Sequence, residues 1–181
     1  MAQIRVAKPA DCNAILDIYA PFCQPSSPVS FELVPPSPPD IQKQLVITLK
    51  NYPWIVYEQS GTVVGYAYAD QHQSIGAFDW DVNVHIYLKE SVRGKGLGKQ
   101  LYNFLFDGLR TLGYYNAYAN ITLPNEAALA LHKSVGFTLV GVRNSTAYKG
   151  GAWRDVALFA LKLQPYAIDP PKPIKFSQLG M

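Results

Sequence analysis

Cysteine is scarce: the 181 residues hold only Cys12 and Cys23. Two thiols build neither a disulfide framework nor a four-ligand zinc site, so they read as free thiols of a reducing compartment. Charge is sparse as well. Sixteen Lys and Arg against thirteen Asp and Glu leave a net +3, with no concentrated basic face of the kind that grips a nucleic-acid backbone, which argues against such a partner. Long apolar runs are missing, none approaching the ~20 residues that cross a bilayer. The first residues carry Arg5, Lys8 and Asp11 and no apolar stretch of signal-peptide type. These absences give the expectation of a soluble cytoplasmic protein without membrane, nucleic-acid or metal partners.

Apolar residues make up 49% of the chain, enough for one ordinary domain with a real core. Proline is abundant but uneven. Gln24 to Asp40 contains Pro25, Pro28, Pro35, Pro36, Pro38 and Pro39, a density that predicts an irregular connector. Phe31 and Glu32 sit inside it. Residues 164–181 contain Pro165, Pro170, Pro171 and Pro173 and read as an extended tail over the surface or onto a partner subunit, after a domain spanning 1–163.

Between these stretches, hydrophobic periodicity alternates between the strand and helix periods. Strands are predicted at Ile4–Ala7, Trp54–Glu58, Val63–Ala69, Ala77–Leu88, Tyr115–Thr122, Phe137–Tyr148 and Arg154–Leu163, the last two around a Lys149-Gly150-Gly151 turn. Helices are predicted at Pro9–Tyr19, Asp40–Asn51, Gly96–Leu112 and Asn125–Val135. In the third, Leu97, Leu101, Phe104, Leu105, Leu109 and Leu112 mark one face, and Gly113 stops it. Consecutive strands pair antiparallel, while the strand–helix–strand step through Gly96–Leu112 demands one parallel neighbour. The expected fold is α/β (α+β): a mixed, mostly antiparallel sheet of about seven strands with helices on both faces.

One cluster of charge is not scattered. Arg93-Gly94-Lys95-Gly96-Leu97-Gly98-Lys99 follows a predicted strand and opens a predicted helix. Glycines allow positive φ and close backbone approach. Unpaired N–H groups at the helix start, with the macrodipole and three cations, suit a pyrophosphate. A Walker A loop needs G-x-x-x-x-G-K-[ST], but only three residues separate Gly94 from Gly98 and Gln100 follows Lys99. A dinucleotide loop needs G-x-G-x-x-G, which is also absent. The pattern that fits is R-x-x-G-x-G, met by Arg93, Gly96 and Gly98.

That loop resembles the signature of the GNAT superfamily of N-acetyltransferases, whose members hold the pyrophosphate of coenzyme A there. A second feature of that superfamily, an Asn-led helix ending in Gly-Phe, has its likeness in Asn125 through Gly136-Phe137, about thirty residues on. Val29-Ser30-Phe31-Glu32, Tyr52-Pro53-Trp54, Gly65-Tyr66-Ala67-Tyr68-Ala69, Asp79-Trp80, Leu123-Pro124-Asn125 and Lys149 through Val156 are similar to the phosphinothricin and methionine-sulfoximine N-acetyltransferases, nearly from end to end. The resemblance implies the GNAT fold, acetyl transfer from acetyl-CoA to the amine of a small amino-acid analogue, and a homodimer. It further implies that Arg93, Gly94, Lys95, Gly96, Leu97, Gly98 and Lys99 hold the pyrophosphate. Ile86, Tyr87 and Leu88 would pair their backbone with the pantetheine, and Asn125 would contact its thiol end. His132 stands where many members have a Tyr that protonates the leaving thiolate.

Two positions depart from the family. The expected general-base Glu is Asn83, and an amide takes no proton at neutral pH. Where herbicide-acetylating members carry an Arg suited to an acidic acceptor group, Ile75 stands nearest. The first departure keeps open an alternative, a non-catalytic acetyl-CoA or CoA binder acting as a sensor.

Alternation puts Asp81, Asn83, His85 and Tyr87 on one face of a strand and Val82, Val84, Ile86 and Leu88 on the other. Thioester aminolysis needs a group to take the amine's proton. His85, whose residue type titrates near working pH, is one candidate base. Asp81, as base or as the group orienting His85, is a second, and a water chain anchored by Asn83 is a third. Phe31, Phe78 and Trp80, with Glu32 beside the first, are expected to line the acceptor's side chain. His72 falls at a strand end, on the surface.

Overall fold

In the computed structural model, which describes residues 2–179, the alternating stretches become one seven-stranded sheet. Strand β1 (Ala2–Val6) pairs antiparallel with β2 (Trp54–Gln59), β2 with β3 (Thr62–Gln71), and β3 with β4 (Asp81–Leu88). Strand β4 lies parallel to β5 (Asn116–Thr122), and β5 pairs antiparallel with β7 (Ala152–Lys162), which carries β6 (Thr138–Lys149) at the edge. The order is β1-β2-β3-β4-β5-β7-β6. The one parallel pair is joined by the crossover helix α3 (Leu97–Leu112), as a parallel connection requires.

Helices cover both faces. Trp54, Val56, Tyr66 and Tyr68 turn toward α1 (Cys12–Cys23) and α2 (Pro38–Asn51), meeting Ile15, Ile18, Ile41 and Leu45. The alternate residues Ile55, Ala67, Ala69, Val82 and Val84 turn toward α3 on the other face, beside which lies α4 (Glu126–Ser134). Helix α3 buries Leu101, Tyr102, Leu105, Phe106, Leu109 and Leu112, and each large side chain contributes about 1.5–3 kcal/mol of transfer free energy. Phe104, expected on that face, is instead 46% exposed, because position 104 lies about a third of a turn from the centre of the buried arc that runs from Leu101 to Phe106.

Among the boundaries that differ from the sequence expectation, three change what a segment does. Helix α1 runs on to Cys23 through Pro21. Proline forfeits one helical hydrogen bond there, while the added turn buries Cys23 and sets Phe22 against Tyr87. Helix α2 begins at Pro38, inside the proline-dense stretch. Pro38 and Pro39 occupy first-turn positions that have no intrahelical N–H bond to lose, and Ser37 caps them reciprocally with Asp40. Strand β4 starts at Asp81, not at 77: Gly76–Phe78 is a 3-10 turn in which Phe78 N–H donates to Ile75 O (2.9 Å) and Asp79 N–H to Gly76 O (3.2 Å).

Residues 165–179 fold back over their own chain. The Trp80 indole N–H donates to Pro171 O (2.8 Å), Ile174 N–H to Leu112 O (3.0 Å) and the Ser177 hydroxyl to Lys50 O (3.0 Å). Phe176 is buried in the α3-side core. None of the helices among the described residues is long and apolar enough to cross a membrane.

Candidate active site

The parallel pair holds for only three residues, Asp81–Asn83 against Asn116–Tyr118. Beyond that the strands splay apart. The fork opens a cleft of about 590 Å³ bounded by β4, by Ala119 to Thr122 of β5, by the start of α3 and by α4. Lys89 N–H donates to Val64 O (2.9 Å), and the regular β3–β4 register carries that alternation back along the strand. Backbone groups of Tyr87 and His85 therefore serve β3, while those of Ile86 and Leu88 face the fork, where β5 has turned away.

At the cleft mouth Gly94 (φ 72°) and Gly96 (φ 79°) take left-handed conformations. A Cβ at either would meet no atom within 4 Å, so the space in front of α3's first N–H groups is a cradle. Gly98 has another reason: its Cβ would stand 2.9 Å from Leu131 Cδ2, so glycine lets α3 and α4 touch. The Arg93 guanidinium donates to Leu88 O (3.2 and 3.1 Å) and lies 5.1 Å from the Phe22 ring centre, fastening the end of β4 while lining the mouth. Lys95 donates to Ser91 O (2.9 Å), and Lys99 lines the cleft. Asn125 Oδ1 caps α4 by accepting from Ala128 N–H (3.2 Å). Thr122 Oγ1 is buried in the cleft wall and has no hydrogen-bond partner among the described residues.

His132 is buried in the same wall. Its Nδ1–H donates to Ala128 O (2.7 Å), which leaves Nε2 to accept from the Tyr102 hydroxyl (2.8 Å). Burial lowers its pKa below the ordinary 6.5, opposed by the bond to Ala128, so the ring is neutral. Stability from a group whose pKa is lower folded than unfolded is complete above the unfolded value and is lost as pH falls toward the folded one. The Tm should therefore decline as pH drops below about 6.5, and His132→Phe should flatten that part of a thermal-unfolding series.

The polar row of β4 is distributed along the fork. His85 borders the cleft. Asn83 lies one step deeper, and Asp81 stands at the closed end, accepting from Asn116 Nδ2 (2.8 Å). Phe78 and Asp81 line a separate hollow of about 170 Å³. Trp80 is engaged by the tail. Phe31 is 50% exposed on the connector beside Glu32, and among the described residues no aromatic contact joins it to Phe78 or Trp80.

Sequence reasoning passed over the partners of this row. Asp70 is directly opposite Asn83 in the β3–β4 register. Its Oδ2 accepts from His85 Nε2–H (3.0 Å) and its Oδ1 from Asn83 Nδ2 (3.0 Å). Asn83 Nδ2 also donates to Gln71 O (3.0 Å), and its Oδ1 accepts from His72 Nδ1–H (2.8 Å). His72 is half-buried and stacked on Tyr118 (4.3 Å), not free on the surface. Tyr68 stacks on His85 (4.5 Å, 14°). The alternation Tyr66, Tyr68, Asp70 would have placed the carboxylate on this face; the cross-strand register was the missing information.

A glycine cradle at a helix start, a cleft between splayed strands and a polar row at its edge make up the site, and the fold that carries them has known relatives. The acetyltransferase (GNAT) domain family matches residues 4–158. The chain belongs to this family. The phosphinothricin N-acetyltransferase of Streptomyces viridochromogenes is 33% identical over 173 residues, 96% of this chain and 93% of that protein. The L-methionine sulfoximine/L-methionine sulfone acetyltransferase of Salmonella typhimurium is 31% identical, covering 91% and 96%. The crystal structure of a phosphinothricin acetyltransferase from Sinorhizobium meliloti in complex with AcCoA superposes with a TM-score of 0.89 at 32% identity, covering 94% of this chain and 93% of that one.

This GNAT protein is an acetyl-CoA-dependent N-acetyltransferase. Its residues fit the cosubstrate: the glycine cradle leaves room for a pyrophosphate, the Ile86 backbone and the Leu88 N–H face the cleft without a strand partner, and Thr122 offers an orphaned hydroxyl. Among the described residues no group of three His, Cys, Asp or Glu is placed to hold a metal ion. Gly96→Ala should raise the KM for acetyl-CoA about tenfold with kcat little changed, because a Cβ crowds the cradle and strains the left-handed turn by roughly 1 kcal/mol. Initial rates against acetyl-CoA concentration measure this.

Proposed function

We propose that this acetyltransferase acetylates the α-amine of a free amino acid or close analogue, with His85 as the base that accepts the acceptor's proton. The observation that carries the reading is His85 at the cleft edge, between the cradle and the closed end of the fork, with its ring fixed by Tyr68 and Asp70. Bound acetyl-CoA supplies an activated acyl group. The chain's own residues do the rest. Arg93 to Lys99 hold the pyrophosphate by helix N–H groups and charge. Ile86 and Leu88 offer backbone bonds to the pantetheine, with Tyr87 between them, and Asn125 and Thr122 flank its thiol end. His132 acts through Tyr102, whose hydroxyl it holds in the wall. Phe31, Glu32, Phe78, Trp80 and Asp81 remain candidates for contact with the acceptor.

Relatives named for phosphinothricin and methionine sulfoximine support an amino-acid-like acceptor. Ile75, 61% exposed just before the 76–78 turn, brings no cation for an acidic acceptor group and favours a neutral side chain. The exposed apolar positions Leu139, Val140, Val142, Tyr148 and Trp153 on β6 and β7 support a homodimer, which sedimentation would test. The buried free thiols suit a reducing cytoplasm.

The test is CoA-thiol release from acetyl-CoA against methionine sulfoximine, phosphinothricin, natural amino acids, polyamines and short peptides. Turnover on the amino acids or sulfoximine is the expected result. No release above the enzyme-free rate, from protein that binds acetyl-CoA, would replace this reading with a non-catalytic binder.

A further inference from the structure

Position 83 carries an amide, but the site does not lack a carboxylate. Residues directly opposite in an antiparallel pair have Cβ atoms about 4.5–5.5 Å apart, so an acid at position 70 reaches nearly the same space as one at position 83. Two carboxylates there would repel each other and resist joint ionisation. With Asn83 the repulsion becomes a hydrogen bond, Nδ2–H to Asp70 Oδ1. The amide is itself clamped from three sides, by Asp70, Gln71 O and His72, so it cannot swing away. The other Asp70 oxygen accepts from His85 Nε2–H. That bond assigns the His85 tautomer: Nε2 holds the hydrogen, and Nδ1, which has no hydrogen-bond partner among the described residues, keeps its lone pair. Tyr68, stacked at 4.5 Å, fixes the plane of the ring.

We propose that Asp70, across from position 83 on the neighbouring strand, is the positioning carboxylate of this active site, and that it holds His85 in the tautomer whose Nδ1 takes the acceptor's proton. This rests on His85 serving as base in the acetyl transfer described above. His85 Nδ1 takes one proton from the acceptor's ammonium, and the resulting imidazolium is stabilised by Asp70 through Nε2–H. As the amine lone pair forms the C–N bond to the thioester carbonyl carbon, the C–S bond breaks and its electron pair leaves on sulfur. The second ammonium proton neutralises that thiolate, and the His85 proton passes to solvent at the open edge of the cleft. One amide, one thiol and one released proton balance the starting ammonium and thioester.

The first test uses the wild-type protein. Long-range ¹H–¹⁵N correlation of the imidazoles near about pH 8 should show His85 protonated on Nε2; protonation on Nδ1 overturns the proposal. The second is kinetic. Asp70→Asn should lower kcat about 100-fold while leaving the KM for acetyl-CoA within about twofold. Adding Asn83→Glu to that variant should recover at least about tenfold, since a carboxylate returns to the same space. The rescue should also require His85, so that adding His85→Ala to the double variant abolishes it; recovery that survives without His85 would mean that the introduced carboxylate acts as base by itself, and overturns the proposal. Wild-type kcat in Asp70→Asn, or a double variant no faster than the single one, overturns the proposal. A thermal shift with acetyl-CoA shows whether Asp70→Asn is folded; if it is not, the tautomer decides. Wild-type protein that turns over no amine brings down the functional reading and this proposal together, whereas an active wild type with an unaffected Asp70→Asn brings down this proposal alone.

Discussion

Replacing His85 with alanine should lower kcat about a thousandfold while changing the affinity for acetyl-CoA less than about twofold. The split follows from where the ring sits. His85 points from the β4 face that carries Asp81, Asn83 and Tyr87, toward β3's Asp70 and Tyr68. The cofactor cradle at Gly94 and Gly96 lies beyond the end of the strand. Removing the imidazole takes away the proposed proton sink and disturbs none of the backbone that would hold a pyrophosphate. The residual rate would reflect proximity alone, the two substrates still being held together. Steady-state kinetics with acetyl-CoA varied at saturating amine measures both quantities. A His85→Ala enzyme that keeps the wild-type rate between about pH 6 and pH 9 is incompatible with the imidazole as base, and the role would pass to a water held by Asn83 or to Asp81.

The second large effect concerns stability and the acceptor side together. Lys149 is 4% exposed, and its ammonium donates to Phe22 O (2.8 Å), Ser30 O (2.7 Å) and Glu32 O (3.0 Å). Desolvation pulls its pKa below the ordinary lysine value, while nearby Cys23 and Glu32 act the other way. Three donors matched to three carbonyls satisfy the group completely. Lys149→Met keeps the length of the stem and deletes the donors, orphaning three carbonyls in a closed space. At about 1 kcal/mol for each unsatisfied group, the loss is about 3 kcal/mol, or a Tm lower by roughly 10 °C for a chain of this size. The connector bearing Phe31 and Glu32 would also lose its anchor, so on the proposed contact of those residues with the acceptor the KM for the amine should rise more than the KM for acetyl-CoA. Differential scanning calorimetry and the two KM values check this. An unchanged Tm would mean that water replaces the ammonium at no cost.

These residues also show where sequence legibility ends. The cradle was readable because Arg93 to Lys99 are contiguous and their chemistry depends on local backbone: positive φ at two glycines and the start of one helix. The polar face of β4 was readable because alternation is a local rule. The start of β4 was not. Phe78 and Trp80 have strand-like side chains, yet the bonds from Phe78 and Asp79 back to Ile75 and Gly76 close a turn. Asp70 escaped notice because its partners lie across a strand pair, and a shift of one residue in that register would have turned it to the other face. The partners of His72, which does follow the end of β3, depend on the same register. Lys149 was beyond reach altogether, since its acceptors lie 117 to 127 positions earlier in the chain. Its neighbours Gly150 and Gly151 announce only a turn.

That last distance has a consequence for the order in which the molecule assembles. The cradle joins a strand to the helix that immediately follows it, so the cofactor half of the site closes small loops and can form early. The connector can take its final course only when the β6–β7 hairpin brings Lys149 back to it, which closes a loop of more than a hundred residues and defers the gain until that entropy has been met. A chain emerging from the ribosome would therefore acquire its glycine cradle before its connector had been fastened. The connector, last to be fastened, is also the segment that would loosen first under mild denaturation.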